Sequence, residues 1–246
     1  MSESFYTRSA EFYNVIHAGK PYADEAATVH AHIQAHVRSG GNALLDVACG
    51  TGNHVAHLRR HYRVTGVDLD ERLLRVASES IPDATFHQGD MAKFDLGRRF
   101  DALVCLFSAI GYVRTEDALR RTIANFARHL QPGGVAVVEP WLTPEVFKPG
   151  MPRLDVTESA ELKVARMGRA DWEGDLSVIV YVYMVGRPGG IEHWEDRHLL
   201  GLFTHQQMLD AFAAAGLEVV EYDPHGLIGR GLYVARRPEA GPSARS

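Results

Sequence analysis

The stretch Ala43-Leu44-Leu45-Asp46-Val47-Ala48-Cys49-Gly50-Thr51-Gly52-Asn53-His54 restricts this chain to few folds. Its apolar run from Ala43 to Ala48 predicts a buried strand. Two glycines then turn the chain into a helix whose apolar face begins at Val55 and Leu58. A strand, a tight glycine turn and a helix N-terminus together form the usual seat of a nucleotide-like ligand. The next apolar run, Arg63 to Val67, ends in Asp68, 22 positions beyond Asp46. An acid there can accept hydrogen bonds from ribose hydroxyls.

A dinucleotide fingerprint would need a third glycine, and position 55 is valine; no Gly-Lys-Ser/Thr follows, which removes a P-loop. The loop opens with Asp46 and carries no basic residue. That acidity suits a ligand with an amino group and a sulfonium better than one with a pyrophosphate.

Strand and helix signals then alternate. Asp70 is placed to cap a helix over Glu71 to Ser80, and Pro82 stops it. Ala84 to His87 predicts a short strand leading to Gly89-Asp90-Met91, and Asp101 to Phe107 a central one covered on both faces. A helix is expected over Glu116 to Leu130, a turn at Pro132-Gly133-Gly134 and a strand at Val135 to Val138. The fold class that follows is α/β, a mostly parallel Rossmann-like sheet with helices on both faces.

After Glu139-Pro140-Trp141 the pattern changes to three antiparallel strands, Glu161 to Arg169, Leu176 to Val185 and Ile191 to Phe203. Val178, Val180, Val182 and Met184 share one strand face, and Ile179, Tyr181, Tyr183 and Val185 the other. Both are apolar, so the main domain or a second subunit must cover them, and a homodimer is expected. Thr204 and Gln207 form a capping box for a helix through Ala215, with Gly216 at its end, and Leu217 to Tyr222 and Gly231 to Ala235 predict a closing hairpin. The organisation is therefore 1–138 as N-terminal lid helices and cofactor-binding core, 139–203 as an inserted antiparallel subdomain for acceptor binding and dimerisation, 204–237 as the return to the core, and 238–246 as a tail.

A net charge of −5 over 246 residues argues against a broad nucleic-acid surface. The two cysteines, Cys49 and Cys105, stand in no metal-ligand spacing, so no metal is expected. No apolar signal segment follows Met1, and no run of about eighteen apolar residues occurs, so the expectation is a cytoplasmic protein without a membrane partner.

Asp46-Val47-Ala48-Cys49-Gly50-Thr51-Gly52 resembles the first motif of the class I S-adenosylmethionine-dependent methyltransferases. His87-Gln88-Gly89-Asp90-Met91 resembles their adenine-side segment, and Phe107-Ser108-Ala109-Ile110-Gly111-Tyr112 their strand-four loop. Tyr13-Asn14-Val15-Ile16-His17-Ala18-Gly19-Lys20, Glu139-Pro140-Trp141, His198-Leu199-Leu200-Gly201-Leu202-Phe203 and Gly229-Arg230-Gly231-Leu232 are similar, more narrowly, to the N,N-dimethyltransferases of nucleotide-linked amino sugars in macrolide-type antibiotic pathways. Three segments depart from that pattern. Only Trp141 follows the Glu-Pro pair before Leu142-Thr143, Leu227-Ile228 stand where Pro-Ser is usual, and the link from Gly19-Lys20 to Pro21-Tyr22 is short.

The resemblance implies S-adenosyl-L-methionine as cofactor, with S-adenosyl-L-homocysteine as product, and a dTDP-amino sugar as substrate. It implies cofactor contacts from Tyr13, Tyr22, Asp46, Ala48, Gly50, Gly52, Asp68, Leu69, Asp90 and Met91. Acceptor contacts fall to Tyr6, Tyr112, Trp141 and Arg230, with Arg230 facing the phosphates. Tyr112 and Glu139 are the candidate catalytic residues; either of them, or a nearby histidine, could accept the proton released by the methylated amine, and the sequence singles out no one base. The reaction needs little acid–base help, because a neutral amine held in line with the methyl is already a nucleophile. An O-methyltransferase would need a base beside a hydroxyl, and a non-catalytic protein could share the fold. Ser108-Ala109-Ile110-Gly111 stands where a nucleic-acid amine methylase carries Asn/Asp-Pro-Pro-aromatic, which argues against that substrate.

Overall fold

The structure, a computed structural model, describes residues 12–239. A seven-stranded sheet is built from β1 (Ala43–Val47), β2 (Arg63–Asp68), β3 (Thr85–Gln88), β4 (Phe100–Cys105), β5 (Leu130–Val138), β10 (Glu218–Asp223) and β11 (Leu232–Arg236). Its order is β10-β11-β5-β4-β1-β2-β3, parallel from β5 to β3, while the closing hairpin of β10 and β11 runs antiparallel. β1 and β4 are central and buried, as their near-continuous apolar runs require.

Helices cover both faces. On one side α5 (Glu116–Arg128) and α6 (His205–Ala214) bury Leu119, Ile123, Phe126, Met208 and Phe212 against Leu45, Leu103 and Val138. On the other, α2 (Tyr22–His36) and α3 (Val55–Leu58) bury Val29, Ile33, Val55 and Leu58 against Leu44, Val104 and Val137. The expected caps form. Asp70 accepts from the Arg72 N–H at the start of α4 (Glu71–Ser80), and Thr204 and Gln207 make the full capping box of α6. Gly216, at φ +71°, ends that helix in the left-handed region.

Two expectations need correction. Pro132-Gly133-Gly134 is not a turn before a strand; it lies within β5, where pairing with β4 shifts register between Phe100 and Ala102 and the extra residues bulge. The inserted sheet has four strands, not three: β6 (Arg153–Glu158), β7 (Lys163–Glu173), β8 (Leu176–Arg187) and β9 (Gly190–Gly201), all antiparallel in sequence order. β6 is an exposed edge strand whose charged residues outnumber its apolar ones, which hides its period.

The inserted sheet has a covered and an open face. Val185 and Tyr183 are buried with Phe12, next to Val15 and Ile16 of α1 (Tyr13–Ile16). On the other face Val182 and Met184 are 46% and 55% exposed. Met167, opposite Val182, is exposed too, as are Leu154 and Val156 on β6, opposite Met167 and Ala165. No helix among the described residues is long and apolar enough to cross a membrane.

Candidate active site

A cavity of about 1040 Å³ opens beyond the C-terminal ends of the parallel strands, where Ala48 follows β1, Leu69 follows β2, Gly89 to Lys93 follow β3 and Leu106 to Ser108 follow β4. That is the end at which open α/β sheets take ligands. The inserted sheet roofs it with Arg166 of β7, Ile179, Tyr181 and Tyr183 of β8, and His198 and Leu200 of β9.

The floor is the glycine loop. Ala48, Gly50 and Gly52 all have positive φ, at 59°, 57° and 79°. A Cβ on Gly52 would stand 2.8 Å from Ile81 Cδ1, whereas nothing lies within 4 Å of one on Gly50. Glycine at 50 is therefore fixed by its backbone conformation, and at 52 by packing as well. The Gly50 N–H donates to Asp68 Oδ2 at 2.8 Å and the Asp70 N–H to Asp68 Oδ1 at 2.9 Å. Asp68 thus ties the loop to the end of β2, and a carboxylate with about four lone-pair sites still has capacity for a ribose. Burial raises its pKa against the pull of those backbone donors.

Asp46 is 2% exposed, and its Oδ2 has no hydrogen-bond partner among the described residues. Burial, then the charge of Asp68, pushes its pKa up to about 8. A buried carboxyl without a donor is costly, and an incoming ammonium would supply one. A small recess beside it is lined by Tyr13, Tyr22, Ala48, Thr51 and Asn53. The Tyr22 hydroxyl is buried beside Tyr13 and Asn53 in the same recess. A buried acid with an open oxygen and a phenol around one recess fit the amino acid end of S-adenosylmethionine.

The N-terminal turn is fastened over this loop. Asn14 Oδ1 accepts from Thr51 Oγ1 at 2.6 Å and from Asn53 Nδ2 at 3.1 Å. Behind it Glu25, 4% exposed, accepts from Lys20 Nζ and, at 2.7 Å, from His54 Nε2. Burial opposes ionisation of Glu25, yet those bonds hold its pKa below the usual carboxylate value.

Leu69, Asp90 and Met91, expected to face an adenine, all line the cavity. Asp90 Oδ1 accepts from the Ala92 N–H at 2.9 Å, and its carboxylate lies 3.2 Å from Lys93.

The other half of the cavity is aromatic and cationic. Arg230 lies over the Trp141 ring, 4.2 Å from its centroid, and donates from Nη1 to Ser108 Oγ at 2.9 Å. Trp141 Nε1 donates to Ser177 Oγ at 2.8 Å, so the stacked pair is held from both ends. Arg166 lies 4.6 Å from the Tyr181 centroid. Tyr112 reaches His198 Nδ1 at 2.8 Å.

Glu139 is fully buried and does not line the cavity. Its Oε2 accepts from the Phe107 N–H at 2.6 Å. Phe107 and the following Ser108 both have positive φ, so Glu139 holds a strained loop in place. Burial raises its pKa to about 7, against the Phe107 N–H and the Arg230 charge. Tyr6 lies outside the described residues.

Arg166, Tyr181, Tyr183, His198 and His17 were not singled out for this site from the sequence. Tyr181 and Tyr183 alternate along β8, but which face turns inward is not legible from the sequence. Asn14, His17, Lys20 and His198 lie within segments that carry the resemblance, without an assigned role.

Residues 44–134 match a methyltransferase domain family. The chain is 42% identical to the dTDP-3-amino-3,4,6-trideoxy-alpha-D-glucopyranose N,N-dimethyltransferase of Streptomyces venezuelae, over 92% of this chain and 96% of that one. Among solved structures it is similar to Streptomyces venezuelae DesVI, with a TM-score of 0.87 and 40% identity, covering 95% of this chain and 99% of that one. It is also similar to S-adenosylmethionine-bound CalS10, an amino pentose methyltransferase from Micromonospora echinaspora involved in calicheamicin biosynthesis, at a TM-score of 0.83 and 38% identity over 96% and 100% of the two chains.

Proposed function

The chain belongs to the class I S-adenosylmethionine-dependent methyltransferases, among the dTDP-amino-sugar N,N-dimethyltransferases, and from that premise we propose that it transfers two methyl groups in turn to the amine of a dTDP-linked deoxy amino sugar in secondary-metabolite biosynthesis. The observation that carries this reading is one continuous cavity lined both by the glycine loop with Asp68 and by Arg230 and Arg166. Two ligands of opposite character, one cationic and one a diphosphate, can meet in it.

S-adenosylmethionine, when bound, supplies an electrophilic methyl on a sulfonium centre. Asp46, Tyr13 and Tyr22 hold its amino acid end, Asp68 its ribose, and Leu69, Asp90 and Met91 its adenine. Arg230 offers a planar, doubly donating group for the diphosphate, and its stack on Trp141 fixes that plane. The chain's main contribution is then alignment: the sugar amine is pressed against the cofactor half by the roof of β7 to β9, with water excluded. Glu139 serves this by holding Phe107 and Ser108, and the product's proton leaves to solvent.

The open face of the inserted sheet, with Leu154, Val156, Met167, Val182 and Met184, is the surface we assign to a homodimer. Two free cysteines accord with action in the cytoplasm.

The test is a mass-spectrometric assay with isotopically labelled S-adenosylmethionine and a panel of dTDP-amino sugars. A gain of one and then two methyl groups on the amino sugar, and none on its hydroxyl analogue, is the expected result. Methylation of hydroxyl analogues alone would refute it.

A further inference from the structure

One hydrogen bond joins the fixed wall of the cavity to its roof. Tyr112 belongs to the 3₁₀ turn Ala109–Val113 after β4, and His198 lies on β9. They are 86 positions apart in sequence, and the Tyr112 hydroxyl stands 2.8 Å from His198 Nδ1. Both line the cavity, and His198 is 3% exposed with its ring 5.6 Å from that of Tyr181.

The chemistry of the pair sets the direction of the bond. A phenol is a stronger acid than a neutral imidazole N–H, and an imidazole nitrogen is a far better base than a phenol oxygen. The tyrosine therefore donates to Nδ1, and the ring proton sits on Nε2. Burial lowers the His198 pKa to about 4, Asp196 opposing and Arg166 adding to the effect, so the ring is neutral and able to accept at pH 7. With its hydrogen committed to the histidine, the phenol oxygen keeps acceptor capacity.

Resting on the function proposed above, we propose that His198 is a positioning residue: it turns the Tyr112 hydroxyl hydrogen away from the substrate, so that the phenol oxygen receives an N–H of the sugar amine and leaves the nitrogen lone pair for the methyl carbon. A primary amine and a monomethylamine each carry an N–H for that oxygen, and a neutral dimethylamine carries none. The same contact holds both substrates; the second transfer leaves a dimethylammonium whose single N–H keeps the contact until its proton leaves to solvent, and the neutral dimethylamine then has none to offer. His198 is not a store for the released proton, being a much weaker base than an alkylamine. The groups around it that titrate or carry charge are Tyr112, Tyr181, Asp196 and Arg166.

A kinetic double-mutant cycle tests this, using a dTDP-amino sugar and saturating S-adenosylmethionine. Tyr112→Phe and His198→Phe should each lower kcat about tenfold, the worth of one hydrogen bond, and the double variant should lie within about twofold of Tyr112→Phe. His198→Asn, whose amide oxygen can take the tyrosine hydrogen, should recover to within about threefold of wild type. Cofactor affinity by calorimetry should not change. Equal losses from His198→Phe in both backgrounds, or no recovery in His198→Asn, would make the residue structural and overturn the proposal. Nitrogen NMR of labelled histidine should find the Nε2–H form in the ligand-free protein, with the titration midpoint of His198 rising in Tyr112→Phe. An Nδ1–H form overturns the positioning role alone, whereas a wild type inactive on every amino sugar overturns the proposed function and the amine contact with it.

Discussion

Asn14 Oδ1 accepts from Thr51 Oγ1 at 2.6 Å, which fastens the N-terminal turn to the glycine loop across 37 positions of sequence. The same oxygen accepts from Asn53 Nδ2. The N-terminal turn is thus held by the glycine loop. Asn14→Ala should weaken S-adenosylmethionine binding about tenfold by calorimetry, the worth of one to two net hydrogen bonds. Nucleotide-sugar binding should hold steady.

Asp46 carries a folded-state pKa of about 8, well above its unfolded value. Between those values the folded protein binds the extra proton, so this group's contribution to stability is present at low pH and lost as pH rises through about 8. Asp46→Asn should therefore raise Tm at pH 8, by roughly 2–4 °C for each kcal/mol relieved, while cofactor binding collapses. An ammonium beside Asp46 would lower its pKa, so binding near pH 7 should release a proton. Calorimetry in buffers of different ionisation enthalpy reads that release, and Asp46→Asn should abolish it.

Arg230 is half-buried with its guanidinium over Trp141, and burial lowers its pKa against the opposing pull of Glu139 and Tyr181. Arg230→Lys keeps the charge and loses both the flat stack and the doubled donors. Its KM for the nucleotide sugar should rise roughly tenfold to a hundredfold, as lost charge-assisted bonds would give, with cofactor affinity within about twofold of wild type. A parallel fall in both affinities would mark Arg230 as structural.

Glu139 reaches the Phe107 N–H, and an amide oxygen can replace it there. Glu139→Gln should keep most of kcat with an unchanged pH profile, while Glu139→Ala should lose activity and about 1–3 kcal/mol of stability by denaturant titration, because a buried N–H is left unpaired. Loss of a kcat limb near pH 7 in Glu139→Gln would instead make the carboxylate a proton acceptor.

Val182 and Met184 open onto solvent beside Leu154, Val156 and Met167. Paired Val182→Glu and Met184→Glu should convert a dimer to a monomer in sedimentation equilibrium with the fold intact. A wild type that sediments as a monomer would sink the assignment.

The features legible from the sequence were those whose cause is local. A strand followed by Gly50 and Gly52 needs only the φ freedom of glycine and a helix start, and the Asp70 cap and the Thr204–Gln207 box lie within single turns. The parallel core followed from apolar period and segment length, and Asp46 and Asp68 from their places at strand ends. Sequence reading failed where pairing overrode local chemistry. Pro132-Gly133-Gly134 looked like a turn until β4 and β11 drew it into a bulged strand, and β6 showed too few apolar residues to be seen without its partner β7.

The order of residues along the chain thus marked the glycine loop and the acids Asp46, Asp68 and Asp90, because each is flagged by the strand and turn beside it. Only the tertiary structure decided which distant segments meet. Tyr112 meets His198, Arg230 meets Trp141 and Asn14 meets Thr51 across long stretches of chain, and which face of β8 turns inward depends on how the inserted sheet lies on the core. Such contacts are set by packing between elements, and no period or local motif encodes them.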